Sequence, residues 1–136
     1  MEKTIASTAD AVGSSSAVGS GVGLAALQMA KATGAHVIGT SRTADKLNRC
    51  KTLGLDVAIE TATTQDLAAI VMESTGGHGA DVILDLVGAA YFAQNLASLA
   101  QKGRLILVGL TSGRTAEFNL GLALQKRARI IGTVLR

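Results

Sequence analysis

Five small residues, Gly19-Ser20-Gly21-Val22-Gly23, stand directly before a run with helical periodicity. Small side chains let a backbone approach an anion closely. A helix N-terminus adds unpaired N–H donors and a favourable dipole. Ser20, Gly21, Val22 and Gly23 are therefore candidates for holding a pyrophosphate. The strict G-x-G-x-x-G spacing is not met, because positions 18, 20 and 23 are Val, Ser and Gly. Taken alone, the run is equally compatible with a Gly/Ser turn that holds no ligand.

A second set lies at Thr40-Ser41-Arg42-Thr43, with Lys46 a helical turn beyond. A site for NAD generally places an acidic residue here to bind the ribose hydroxyls, whereas cations and hydroxyls suit a 2′-phosphate. Arg42 and Lys46 can converge on one phosphate, with Ser41 and Thr43 donating hydrogen bonds. The alternative is a solvated loop followed by an ordinary surface lysine. The residue types favour NADPH over NADH.

Other reactive side chains form no constellation. Asp85 interrupts an apolar run, and its expected role is to satisfy loop N–H groups rather than to act in chemistry. His36, His78 and the single cysteine, Cys50, have no metal-ligand spacing, so no metal is expected and no catalytic residue is assigned. His36 is expected at a strand start, His78 in a turn and Cys50 in a helix interior or groove. Lys126-Arg127-Ala128-Arg129 has no interleaved aromatics and reads as a solvated helix end rather than an RNA site.

These residues need elements to position them, and the sequence alternates helical and strand-like patterns. A helix is expected over 22–33, with Leu24, Leu27 and Ala30 on one face and Gly34 as its stop. His36–Thr40 reads as a short buried strand. Thr43 is expected to cap a helix running to Leu53, closed by Gly54. Val57-Ala58-Ile59 is a further strand. A helix over Thr64–Thr75 turns Leu67, Ile70 and Val71 inward.

The second half repeats the alternation: strand Asp81–Val87, helix Tyr91–Ala100, strand Arg104–Val108, helix Leu120–Lys126 and strand Ile130–Leu135. This rhythm implies right-handed crossovers and an α/β fold, a doubly wound parallel sheet (Rossmann-like) in a single domain, residues 1–136. Such a sheet needs a central strand before the Gly-rich loop. The segment Thr4–Ser16 has few β-branched apolar residues and contains Gly13. Either its neighbours force it into the sheet or residues 1 to about 16 are irregular, and 1–19 form an atypical N-terminal segment.

Composition bounds the reading. Of 136 residues 48% are hydrophobic and 17% charged, but only Tyr91, Phe92 and Phe118 are aromatic. The core must therefore be aliphatic, which suits a parallel sheet between Ala-rich helices. No apolar stretch is long enough to span a bilayer. Met1-Glu2-Lys3-Thr4 lacks an apolar signal core. A formal charge of +3 is too small to mark a nucleic-acid-binding protein. With one cysteine and no disulfide, the expected location is cytoplasmic.

Several ordered segments carry a family resemblance. They are Ser20-Gly21-Val22-Gly23 with Ala26–Lys31, Gly34–Ile38, Lys46-Leu47 with Leu53-Gly54, Thr75–Val82, Asp85-Leu86-Val87-Gly88, Gly103-Arg104-Leu105, and Lys126-Arg127 through Ile131–Arg136. Together they resemble the zinc-independent quinone oxidoreductases of the medium-chain dehydrogenase/reductase superfamily. The resemblance covers about residues 20–136 and is to the nucleotide-binding domain only.

It implies that Ser20, Gly21 and Val22 contact the pyrophosphate and that Ser41, Arg42 and Lys46 surround the 2′-phosphate of NADP(H). It implies that Val87 and Gly88 pass the cofactor, and that Val108, Gly109 and Leu110 lie near the nicotinamide. The implied activity is NADPH-dependent reduction of a quinone or enone, and the implied assembly is a homodimer through the Ile130–Leu135 strand. The family's β-rich catalytic lobe has no counterpart in these residues. The alternative function is accordingly a non-catalytic nucleotide-binding or assembly module. The family would also place an apolar strand and small turn at 13–18, where this sequence reads Gly-Ser-Ser-Ser-Ala-Val.

Overall fold

The computed structural model describes residues 3–8, 25, 27–42, 44–61, 63 and 66–134. Among the described residues there are six strands: β1 (Thr4–Thr8), β2 (His36–Ser41), β3 (Val57–Glu60), β4 (Ala80–Asp85), β5 (Leu99–Leu107) and β6 (Arg129–Gly132). They form one sheet in the order β3-β2-β1-β4-β5-β6, and every pairing is parallel. The expected doubly wound α/β sheet is what the chain forms.

The first strand is settled by its neighbours. Thr4-Ile5-Ala6-Ser7-Thr8 is a weak strand sequence, yet it lies at the centre, paired with β2 on one side and β4 on the other. Parallel strands flanked on both sides gain a full ladder of hydrogen bonds, and that outweighs a modest propensity. The strand thus falls at Thr4–Thr8, earlier than the 13–18 segment the family pattern would suggest. Residues 9–24 lie outside the described residues.

Both outer layers follow from side-chain alternation along the strands. On one face, Ile5 and Val37 pack with Leu27 and Ala30 of α1 (described over 27–32) and with Cys50 of α2 (Ala44–Thr52). On the other, Ala6, Ile38, Ile59 and Ile83 pack with Leu67 and Val71 of α3 (Leu67–Ser74) and Leu96 of α4 (Phe92–Ser98). Leu122 and Ala123 of α5 (Leu120–Lys126) join that second core. The core is aliphatic as composition required, with Phe92 its one deeply buried ring among the described residues, at 7% exposure.

Some boundaries differ from expectation for local reasons. α3 begins at Leu67 rather than Thr64, because the Asp66 carboxylate accepts the Ala69 amide at 3.0 Å and caps it. Strand β4 ends at Asp85, where the carboxylate turns the chain. A short 3₁₀ turn over Ala89–Tyr91 precedes α4, which stops at Ser98. Leu99 pairs with Ala80, so β5 starts there rather than at Arg104. The chain then folds tightly at Lys102 (φ 60°) before Arg104 pairs with Val82. Strand β6 ends at Gly132, and Leu135 and Arg136 lie outside the described residues.

The amino ends of the inner strands are pinned by carboxylates that periodicity could not reveal. Asp81 accepts the Thr4 amide at 2.9 Å and pairs with His78 at 2.9 Å. Burial pushes the Asp81 carboxyl up, but the Thr4 amide, His78 and Lys3 outweigh it and hold it below the usual range. Asp56 accepts the Val37 amide at 2.7 Å and pairs with Lys31 at 2.9 Å. Burial again opposes, and the Val37 amide, Lys31 and His36 again prevail. His36 and His78 therefore take structural places at a strand start and a turn, as expected.

Candidate functional site

Strand register brings the candidate residues to one edge. Ile59, Thr40, Thr8, Asp85, Leu107 and Gly132 are successive partners across all six strands. Ser41 and Arg42, Val87 and Gly88, and Val108, Gly109 and Leu110 all lie one to three positions beyond that row. They share the carboxyl edge of the sheet. The chain leaves β1 at Thr8, between Thr40 and Asp85, which is the point where the strand order reverses. In open α/β sheets ligands bind in the crevice at that point.

Asp85 organises the inner half of this edge. Its side chain is fully buried, and its Oδ1 accepts the amides of Val87 at 2.8 Å and Gly88 at 2.9 Å. Its carbonyl oxygen accepts the amides of Val108 at 2.8 Å and Gly109 at 3.2 Å. One residue thus fixes the loops after both β4 and β5. The expectation that Asp85 would satisfy loop N–H groups is met.

Ser112, not anticipated from sequence, completes the clamp. Its hydroxyl donates to the Val87 carbonyl at 2.7 Å and accepts the Ala90 amide at 2.9 Å. Its own amide donates to Val87 at 2.8 Å. The available signal was the Thr111-Ser112-Gly113 turn after a strand, a composition that forms side-chain-to-backbone bonds.

The two loops approach as closely as glycine allows. Gly88 sits at φ 92°, and a Cβ there would lie 2.7 Å from the Gly113 carbonyl oxygen. A Cβ on Gly109 would lie 2.8 Å from the Leu86 carbonyl oxygen. Beside them opens a cavity of about 280 Å³ whose lining includes Phe92, Leu110, Phe118 and Ile130, with Arg114 the single charged residue among the described ones. Phe92 and Phe118 meet edge to face at 4.9 Å between centroids.

The outer half of the edge carries the cation set. Ser41 is buried at the end of β2, and Arg42 follows it exposed to solvent. Lys46 lies in the first turns of α2, over the same face of the sheet as Ser41, though its side chain is outside the described residues. Thr43 and the loop Ser20, Gly21, Val22 and Gly23 are also outside them. No acidic residue occurs between Thr40 and Thr43, and the next acid in the chain is exposed Asp45 in the first turn of α2.

The remaining candidates are structural. Cys50 is half-buried against Leu27 and Ala30, and burial pushes its thiol up, away from thiolate reactivity. Among the described residues no three His, Cys, Asp or Glu side chains gather into a metal site. None of the described helices is long and apolar enough to cross a membrane. Arg127 and Arg129 are exposed at the end of α5, as a solvated helix end requires, but Lys126 departs from that reading. Its ammonium donates to the Ala97 and Leu99 carbonyls, both at 2.6 Å, and closes the end of α4. Partial burial lowers its pKa.

A six-stranded parallel sheet in this order, with its loops converging at the reversal point, defines a doubly wound nucleotide-binding type of domain. The family model described as zinc-binding dehydrogenase matches residues 21–136, and the chain belongs to that family. It is 37% identical over 115 residues to a sorbitol dehydrogenase of Halalkalibacterium halodurans, covering 82% of this chain and 33% of that one. It is 37% identical over 110 residues to quinone oxidoreductase 1 of Escherichia coli strain K12, covering 81% and 33%. A solved NAD-dependent alcohol dehydrogenase superposes with a TM-score of 0.83 at 32% identity, covering 98% of this chain and 36% of that one. The chain therefore spans about a third of the length of these relatives. The described residues offer no ligand set for the metal in the family's description.

Proposed function

We propose that this domain binds NADPH and, within an oxidoreductase, orients its nicotinamide for hydride transfer to a quinone or enone. The observation that carries the reading is exposed Arg42 at the carboxyl end of β2, beside buried Ser41 and with no acid next to it in the chain. Quinone oxidoreductase 1 among the relatives supports the acceptor class. In this reading Ser20, Gly21, Val22 and Gly23 receive the pyrophosphate. Ser41, Arg42 and Lys46 hold the 2′-phosphate. Val87 and Gly88 border the cofactor, and Val108, Gly109 and Leu110 flank the nicotinamide. The cofactor supplies the hydride. The protein's part is a rigid floor, because Asp85 and Ser112 fix the loops that would face the ring.

Titration tests this directly. NADPH is expected to bind more tightly than NADH, and Arg42→Ala with Lys46→Ala is expected to erase the difference. Equal affinities in the starting protein would sink the cofactor assignment. Retained NADPH binding without quinone-dependent NADPH oxidation would instead favour a binding module without turnover.

The domain is also proposed to associate as a homodimer. Strand β6 pairs only with β5 among the described strands, and its Ile130 and Ile131 are 40% and 42% exposed. An exposed apolar edge strand is a template for a second chain. Light scattering at micromolar concentration should give twice the chain mass, falling to the single mass in Ile131→Pro. A single mass for the starting protein would count against the dimer.

A further inference from the structure

The geometry points to Glu60 as a residue that sets how sharply the site separates NADPH from NADH. This inference rests on the cofactor reading above. Glu60 is the last residue of β3 and the register partner of Ser41, the last residue of β2. The ladder continues one step further, with the Thr61 amide donating to the Ser41 carbonyl at 2.9 Å. The two strand ends are therefore locked side by side.

Strand alternation puts both side chains on one face. Ile38 and Ile59 belong to the core on the α3 and α4 side, whereas Val37 belongs to the core on the α1 and α2 side. Counting by twos, Ser41 shares the face of Val37, and Glu60 shares the opposite face from Ile59. Both thus lie on the face where α2, with Lys46, begins just beyond the sheet. Paired strands run about 4.8 Å apart, and the Glu60 side chain is long enough to sweep that gap. Glu60 is a half-buried residue, and its carboxylate can come within reach of anything held by Ser41 and Arg42.

A carboxylate there acts in two directions. It accepts hydrogen bonds from ribose hydroxyls, the role an acidic residue plays in NAD sites. It also repels a 2′-phosphate that Arg42 and Lys46 attract. This acid comes from the neighbouring strand rather than from the end of β2. The site therefore combines phosphate-binding cations with an opposing carboxylate from β3, in addition to exposed Asp45 in the first turn of α2. The two dinucleotides are separated less sharply than the cations alone would achieve.

The test is the ratio of NADPH to NADH dissociation constants, measured by calorimetry on the whole protein, in Glu60→Gln, Glu60→Lys and Glu60→Asp. Coulomb's law for a carboxylate about 6 Å from a phosphate of nearly two charges, screened by water, gives roughly a tenfold rise in NADPH preference for Glu60→Gln. Glu60→Lys should raise it further, and Glu60→Asp should stay near the starting value. The same order should appear with 2′,5′-ADP against 5′-AMP, which isolates the contribution of the 2′-phosphate. Unchanged ratios in folded Gln and Lys variants, with NADPH still preferred, would overturn the role of Glu60 alone. A starting protein that binds neither dinucleotide would overturn the cofactor reading with it.

Discussion

Asp85→Ala is expected to cost the domain about 4 kcal/mol, a large share of the stability of a protein this size. The carboxylate is fully buried, and its Oδ1 takes the amides of Val87 and Gly88. Alanine leaves both donors without that acceptor in a space water does not readily reach, and each unmet buried donor costs roughly 1–3 kcal/mol. Asp85→Asn keeps an oxygen where Oδ1 stands, so its loss should be only about 1–2 kcal/mol. Urea unfolding of the three proteins measures both differences. An unfolding midpoint for Asp85→Ala equal to that of the starting protein would show that the loops hold themselves.

Gly88→Ala should damage binding more than any other single methyl group on the carboxyl edge. Gly88 lies at φ 92° and ψ −127°, a conformation that L side chains adopt only under strain. The added Cβ would lie 2.7 Å from the Gly113 carbonyl oxygen and 3.0 Å from the Leu110 Cα, and both are backbone atoms. The loops after β4 and β5 must then part. The expected cost is about 3 kcal/mol of stability from strain and overpacking together. NADPH affinity should fall roughly a hundredfold, because a displacement of about 1 Å in a positioning element has effects of that order. Gly132→Ala is the control, since a methyl added there would meet nothing within 4 Å. Similar NADPH affinity in Gly88→Ala and Gly132→Ala would remove the loop after β4 from the site.

The alternation of elements was legible because its punctuation is chemical. Gly34, Gly54, Gly76 and Gly77 all take positive φ and close helices where a side chain would be strained. Asp85 was legible because a carboxylate inside an apolar run must find donors. The first strand was not, since Thr4–Thr8 has little apolar character of its own and is placed by the pairing that β2 and β4 provide. The beginning of β5 was hidden for a related reason: Leu99 and Ala100 extend a helical pattern, and only pairing with Ala80 makes them strand. The role of Lys126 was hidden because a charge run says nothing about carbonyls 27 and 29 residues away. Glu60 entered the site through register, a property of two strands and of neither sequence alone.

The central position of β1 also has a consequence for how the chain is made. Ile5 must align with Val82, and the Thr4 amide bonds to Asp81, 77 residues later. At a synthesis rate of about 5–20 residues per second, the first strand waits roughly 4–15 seconds for its second neighbour. During that interval one side of it is an open parallel edge, the kind of surface that recruits wrong partners. A run of Val and Ile there would be a strong template for aggregation, whereas Thr, Ser and Ala between single apolar residues are a weak one. The same modest composition that hides the strand from periodicity makes it a weak template for wrong pairing until β4 arrives.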